Sequence, residues 1–93
     1  MKIGEFQKLI EQIYFEKDSA RGVDGTFRWF VEEVGELARC LRSEDTKKRN
    51  EEFADVFAWL VSLASLSGVD MATSTEKYRN GCPKCHKIPC QCS

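Results

Sequence analysis

The sequence predicts an all-α protein with four helices, the central two long, followed by a short cysteine-rich tail. Apolar residues recur every three or four positions along most of the chain, which is the spacing of one face of a helix. Short stretches rich in turn-forming residues separate these segments. A chain of 93 residues has room for one small domain. We place a helical domain at residues 1–80 and the tail at residues 81–93.

The first predicted helix covers Gly4 to Lys17, where apolar side chains lie three or four residues apart. The next stretch, Asp18 to Gly25, contains two glycines and an Asp-Gly pair, which predicts a loop. Thr26 is suited to cap the helix that follows, because its hydroxyl can accept a hydrogen bond from a free backbone N–H of the first turn. We therefore expect a new helix to begin at Phe27.

The two central helices are predicted at Phe27 to Leu41 and at Asn50 to Leu66. The break between them, around Ser43 to Thr46, is short, and a short connection makes two helices antiparallel neighbours. Gly68 is placed to end the second central helix as a glycine just beyond its last turn. A final short helix is predicted from Asp70 to Arg79.

Each central helix carries two carboxylates three residues apart: Glu33 and Glu36 in the first, Glu52 and Asp55 in the second. Residues at this spacing lie on one side of a helix, so two antiparallel helices can bring four carboxylates together. Such a group of hard oxygen ligands suits Mg²⁺. The alternative is that these turns simply face solvent. The basic run Lys47 to Arg49 can likewise attract a triphosphate or be ordinary surface charge.

The second central helix has apolar residues on two sides. One stripe includes Phe53 and Phe57, and a second stripe, formed by Trp59, Leu63 and Leu66, lies on nearly the opposite side. A helix that is apolar on two sides is normally buried on both. One small bundle cannot cover both stripes, so we expect the second stripe to be buried against another copy of the chain.

The tail reads GCPKCHKIPCQCS and supplies four cysteines, Cys82, Cys85, Cys90 and Cys92. Four thiolates are the ligand number of a structural zinc site, and Cys-Pro-x-Cys is typical of a zinc knuckle. The gap of four residues between the two pairs is shorter than in zinc fingers. His86 is an alternative ligand in place of one cysteine. The other possibility is a metal-free thiol tail.

Composition excludes several classes of protein. Hydrophobic residues make up 42% and charged residues 31%, as in a soluble globular protein. A formal net charge of −1 gives no reason to expect nucleic acid as a partner. The longest apolar run, Val56 to Leu66, is too short for a membrane span, and the charged N-terminus does not resemble a signal peptide. We expect a cytoplasmic protein with no membrane partner and with reduced cysteines.

The pattern Glu33-x-x-Glu36, fifteen residues, Glu52-x-x-Asp55 resembles the ExxE…ExxD signature of the MazG-like, all-α nucleoside triphosphate pyrophosphohydrolases. The surrounding words EEVGELA and EEFADVF are also similar to that family, and the likeness runs from about Ile3 to Arg79. The resemblance implies a helical bundle completed by oligomerisation, as a homodimer or a homotetramer. It also implies Mg²⁺-dependent hydrolysis of a nucleoside triphosphate to the monophosphate and pyrophosphate. Sanitising the nucleotide pool is one role open to such a reaction.

The resemblance implies a set of site residues. The four carboxylates are expected to be the catalytic Mg²⁺ ligands, with Glu33 orienting or deprotonating a water. The expected substrate contacts are Arg21, Trp29, Lys77 and Arg79. Two other functions stay open: a non-catalytic helical dimer that docks a partner through its zinc tail, and a phosphoribosyl-ATP pyrophosphohydrolase with the same acidic signature.

Overall fold

A computed structural model describes all 93 residues, Met1–Ser93. The chain forms three α-helices: α1 covers Ile3–Cys40, α2 covers Thr46–Leu66 and α3 covers Met71–Ser74. A turn of 3-10 helix, Thr75–Tyr78, follows α3, and there are no strands. The prediction of an all-α fold is confirmed. The prediction of four helices is not confirmed, because the first two predicted helices join as α1 with a single non-helical residue, Gly22, between them.

The predicted loop over Asp18 to Gly25 is wrong. Only Gly22 leaves the helical conformation, with φ 81° and ψ 172°. Glycine adopts such a positive φ without steric cost. Thr26, predicted as a helix cap, instead lies fully buried inside α1. A straight helix of this length would span about 57 Å, whereas the longest dimension of the molecule is 42 Å. Helix α1 is therefore sharply bent at Gly22.

Helices α1 and α2 pack antiparallel, as predicted from the short connection between them. The side-chain amide of Gln7, near the start of α1, donates hydrogen bonds to Ser65 Oγ at 3.0 Å and to the Val69 carbonyl at 2.9 Å. Further along α1, the rings of Trp29 and Trp59 stack with their centroids 6.2 Å apart. The start of α1 thus lies beside the end of α2, and the last part of α1 lies beside the beginning of α2.

Local hydrogen bonds explain where α2 begins and ends. The helix starts at Thr46, before the apolar segment that begins at Asn50, and Asp45, which the sequence offers with Thr46 as a cap, caps it: its carboxylate accepts a hydrogen bond from the Lys48 backbone N–H at 3.1 Å. This bond satisfies one of the free donors of the first turn. At the other end Gly68 has φ 73°, as expected of a glycine just past a helix.

The final segment is shorter and less regular than predicted. Asp70 caps α3 by accepting a hydrogen bond from the Ala72 N–H at 3.1 Å. The Met71 N–H donates to Gln7 Oε1 at 2.9 Å, which holds α3 against the start of α1. No single helix is long and apolar enough to cross a membrane; α2 and the segment Met71–Tyr78 meet that criterion only as a pair bent by 100°.

Very little of the chain is buried: only 8 of 93 residues are, and the apolar ones among them are Ile10, Cys40, Val61 and Ala64. The second stripe of α2, Trp59, Leu63 and Leu66, is half-buried within its own chain. Several large apolar side chains elsewhere are more exposed than that stripe. About half of the surface of each is exposed to solvent: Ile13, Phe15, Phe27, Val31 and Phe53. The uncovered apolar surface therefore lies mainly outside the stripe expected to be the subunit contact.

Candidate active site

Three of the four predicted carboxylates meet between α1 and α2. Glu33, Glu36 and Glu52 each offer an oxygen atom, and these atoms lie within 4.8 Å of one another. The first two lie one turn apart on the last part of α1, and Glu52 comes from the first turns of α2. The antiparallel packing of the two helices produces this carboxylate cluster.

The fourth carboxylate, Asp55, is exposed and lies one turn after Glu52 on the same side of α2. It is outside the group of oxygens that approach within 4.8 Å. Its charge nevertheless contributes to the raised pKa of Glu33. Asp55 therefore borders the cluster.

The cluster is electrostatically unbalanced. Burial, and then the negative charges of Glu36, Asp55, Glu52 and Glu32, raise the pKa of Glu33 above its ordinary value of 4.5. The Oε2 atoms of Glu33 and Glu52 are buried and have no hydrogen-bond partner. The two ion pairs of the chain, Arg21–Asp18 and Arg79–Glu76, do not involve the cluster. Buried carboxylate oxygens without a donor are costly, and a divalent cation would satisfy them. The residues present thus fit a hard metal ion.

The raised pKa of Glu33 predicts how pH affects the metal-free protein. Because the folded state holds this proton more tightly than the unfolded state, the contribution of Glu33 to stability falls as the pH rises from 4.5 through the raised pKa. We expect the difference in unfolding free energy between the wild type and Glu33→Gln, measured in urea with a chelator, to shift against the wild type over this range. An unchanged difference would contradict the assignment. Added Mg²⁺ should reduce the shift, because the cation replaces the proton.

One residue of the basic run Lys47 to Arg49 has a buried nitrogen without a partner. Arg49 lies one turn before Glu52 on α2, and its Nε is buried without a hydrogen-bond partner. In the sequence it belongs to a run of basic residues, which can attract a triphosphate or be ordinary surface charge. The spacing of three residues to Glu52 was the available signal, because it puts both side chains on one side of the helix.

The two tryptophans lie one turn from the carboxylates. Trp29 precedes Glu33 by four residues, and Trp59 follows Asp55 by four. Their rings are nearly parallel, with an angle of 13° between the planes. Trp29 keeps 48% of its surface exposed. It is therefore positioned to contact a ligand beside the carboxylates, as the sequence analysis expected.

Arg21 is held by two contacts next to this aromatic pair. Its guanidinium carbon lies 5.0 Å from the centre of the Trp59 ring, and its Nη1 donates a hydrogen bond to Asp18 Oδ1 at 2.9 Å. Asp18 is only 4% exposed, which is unusual for a carboxylate. Sequence analysis missed Asp18 because the segment around it read as a loop. Arg21 was predicted as a substrate contact, and the structure places it within the aromatic group beside the carboxylates.

Lys77 and Arg79 lie elsewhere. The Lys77 ammonium is 5.2 Å from the centre of the Tyr78 ring, and Arg79 Nη2 donates to Glu76 Oε1 at 2.7 Å. Both belong to the segment after α3, which packs near the start of α1 and the end of α2. The carboxylates lie at the other end of α2, about 20 Å away along the helix. Within one chain the structure does not bring these two residues to the cluster, and their role in substrate binding stays a prediction.

The four tail cysteines form a second cluster. The Sγ atoms of Cys82, Cys85, Cys90 and Cys92 all lie within 4.8 Å of one another. The Sγ of Cys82 is 3.7 Å from that of Cys92 and 3.6 Å from that of Cys90. Tetrahedral zinc with Zn–S bonds of about 2.3 Å requires sulfur–sulfur distances of about 3.8 Å. The spacing therefore fits zinc, and His86 does not belong to the group.

Backbone N–H groups prepare these sulfurs for metal binding. Hydrogen bonds from the N–H groups of Cys85 and Lys84 lower the pKa of the Cys82 thiol to about 6. The Gln91 N–H donates to Cys85 Sγ at 3.3 Å and lowers the pKa of that thiol too. Thiolates are the form that binds zinc. The neighbouring sulfurs of Cys90 and Cys82, by contrast, raise the pKa of the Cys92 thiol to about 11. The cluster thus combines suitable geometry with two thiols, those of Cys82 and Cys85, that ionise readily.

A family model for the MazG nucleotide pyrophosphohydrolase domain matches residues 21–86. The match covers the last part of α1, all of α2 and α3, and the first two tail cysteines. It includes all four carboxylates and both tryptophans. No curated protein matches the chain.

Proposed function

Because the chain belongs to the MazG nucleotide pyrophosphohydrolase domain family, we propose that it hydrolyses a nucleoside triphosphate to the monophosphate and pyrophosphate with the help of Mg²⁺. The observation that carries this proposal is the carboxylate cluster, whose buried oxygens have neither a hydrogen-bond donor nor a basic partner. In the reaction, water adds to the α-phosphorus and the bond to the β-phosphate oxygen breaks, so pyrophosphate leaves.

The three cluster residues and the neighbouring Asp55 have distinct roles in this proposal. Glu36, Glu52 and Asp55 would hold the metal, and Glu33 would serve both the metal and the attacking water. Bound Mg²⁺ would neutralise phosphate charge and make a water more acidic. Burial and the neighbouring negative charges raise the pKa of Glu33 above its ordinary value of 4.5, which makes it a stronger base for taking the proton from water. Trp29 and Arg21 contact the substrate beside the cluster.

We also propose that the functional unit is a homodimer or a homotetramer. The exposed apolar side chains support this proposal, because a monomeric protein rarely leaves so much apolar surface uncovered. A second copy would also be needed to bring Lys77 or Arg79 to the carboxylates.

The direct test is a panel of canonical, deoxy and modified nucleoside triphosphates with phosphoribosyl-ATP as a further substrate, assayed with Mg²⁺ and with a chelator. We expect stoichiometric pyrophosphate and monophosphate, and no orthophosphate, only when Mg²⁺ is present. If only phosphoribosyl-ATP is hydrolysed, the protein is a phosphoribosyl-ATP pyrophosphohydrolase. If the folded protein hydrolyses none of these substrates, an enzymatic role is contradicted.

For the tail we propose a structural zinc site, and we expect one Zn²⁺ per chain in metal analysis. Cys90→Ser should lose the zinc, whereas Cys40→Ala, which removes the cysteine outside the tail, should retain it. Soft sulfur and hard oxygen ligands select different metals. Truncation after Arg79 should therefore remove the zinc and leave Mg²⁺-dependent turnover in place. Loss of turnover in a folded truncated protein would instead make the tail part of the active site.

A further inference from the structure

We infer that a cavity beside the carboxylate cluster holds the nucleobase of the substrate and that Asp18 selects guanine there; this inference rests on the proposed function. The cavity has a volume of about 210 Å³ and lies between the first part of α1 and the middle of α2. The residues of its wall that matter here are Tyr14, Lys17, Asp18, Arg21, Trp59 and Ser62.

The position of the cavity suits the base of a nucleotide whose phosphates lie at the carboxylates. Trp59 and Ser62 follow Asp55 by four and seven residues, so all three lie on one side of α2. The rise of the helix separates the cavity from Asp55 by about 6 to 10 Å. A ribose bridges a gap of this order between its 5′-phosphate and its base.

The chemistry of the wall favours a base over a second phosphate. The Asp18 carboxylate would repel a phosphate, and it already neutralises Arg21, whose Nη1 it binds at 2.9 Å. The ring of Tyr14 and the guanidinium of Arg21 are planar groups at this wall, and such groups stack on bases. Trp59 is fixed by its contacts with Trp29 and Arg21, so this part of the wall is preorganised.

Asp18 decides which base fits. Its Oδ1 accepts the hydrogen bond from Arg21, while Oδ2 makes no hydrogen bond within the protein and stays accessible to solvent. An accessible carboxylate oxygen at the wall of a cavity can accept hydrogen bonds from a bound base. Guanine presents two adjacent donors, the ring N1–H and the 2-amino group, and next to them the O6 acceptor, which suits the Lys17 ammonium. Cytosine and adenine present one amino group on this edge, and uracil and thymine present one ring N–H between two acceptors.

Three purine triphosphates test the assignment without any change in the protein. GTP, ITP and XTP differ only at position 2 of the base, which carries an amino group, a hydrogen or an oxygen. We expect kcat/KM for GTP to exceed that for ITP by about tenfold or more, since a hydrogen bond to a charged group is lost. XTP should be poorer still, because its 2-oxygen faces the carboxylate. Equal values for GTP and ITP, or a preference for a pyrimidine, would overturn the inference.

The variant Asp18→Asn gives a result that a purely structural role of Asp18 cannot produce. The amide oxygen of asparagine can keep the hydrogen bond from Arg21, and its NH₂ group replaces Oδ2 by a donor. We expect the preference to reverse: kcat/KM for GTP falls by about tenfold or more and that for XTP rises. Asp24→Asn is the matched control, since Asp24 is an exposed aspartate of α1 outside the cavity. General destabilisation would lower all three rates alike, and that outcome would overturn the inference.

Equilibrium binding separates this inference from the proposed reaction. Calorimetric titration of the metal-free wild type with GMP, IMP and XMP should give the same order of affinities as the triphosphate assay, without any turnover. Pyrophosphate release from all nucleotides without base preference would leave the reaction standing and overturn the base site. Selective GMP binding without hydrolysis of any triphosphate would support the base site and contradict the proposed reaction.

Discussion

Replacement of Glu36 by glutamine is expected to reduce Mg²⁺-dependent pyrophosphate release by at least about 100-fold, because even a residue that only supports a metal ligand contributes 10- to 100-fold. Glu36 lies with Glu33 and Glu52 in the cluster of oxygens within 4.8 Å. The amide oxygen of glutamine is a weaker ligand and carries no charge, so the cation loses part of its attraction to the site. Asp55→Asn is expected to act in the same direction.

The same substitution should leave the metal-free protein as stable as before, or more stable. Removing one negative charge from the cluster relieves repulsion that also raises the pKa of Glu33. The matched control is Glu32→Gln, which changes an exposed glutamate of the same helix that lies outside the cluster. The control should retain activity. Near-normal turnover of both Glu36→Gln and Asp55→Asn would show that the cluster is not the metal site.

Replacement of Val31 by glutamate is expected to dissociate the assembly. Val31 is 51% exposed in the single chain, and the exposed Phe27 lies one turn before it on the same side of α1. If this surface is covered by a second copy, an uncompensated charge there costs about 3 to 5 kcal/mol. This cost corresponds to an association weakened by more than about a hundredfold.

Sedimentation velocity of the wild type and the variant measures this effect directly. Gln12→Glu, which adds the same charge at an exposed polar position of α1, should leave the assembly intact. The Leu63→Glu variant tests the stripe that the sequence favoured, and because Leu63 is half-buried within its own chain it should also lower the stability of each subunit. A wild type that sediments as a monomer would contradict the proposed assembly.

The sequence predicted the carboxylate cluster well because the cluster depends on regular geometry. The spacing of three residues in Glu33 and Glu36 puts both on one side of α1, and a short connection makes α2 its antiparallel neighbour. The tail was predictable for a similar reason, since four cysteines close together in sequence can lie close together in space. In both cases local rules were sufficient.

The region around Gly22 could not be predicted in the same way. Two glycines and an Asp-Gly pair are common turn signals, but only Gly22 leaves the helix. Gly25 is present for another reason: a Cβ atom there would lie 2.7 Å from Cγ of Arg21. The contact of Asp18 with Arg21 is a pair three residues apart on one helix. Helical spacing would have predicted it, but the turn signals assigned both residues to a loop.

The sequence showed that α2 has two apolar stripes. It did not show which of them packs against α1 of the same chain. Periodicity gives the direction of each stripe relative to the helix axis and no information on the neighbour it meets. The stacking of Trp59 on Trp29 settles this for the second stripe. It leaves Phe53, on the first stripe, more than half exposed.

The small number of buried residues, 8 of 93, has a consequence for how the protein responds to dilution. A chain with so little interior gains little free energy from folding alone. In the proposed assembly, contacts between copies would add to that free energy. Folding and association are then one equilibrium, as in obligate homodimers, and the melting temperature rises with protein concentration. The fraction of chains that are folded would then rise with the concentration of the protein in the cell.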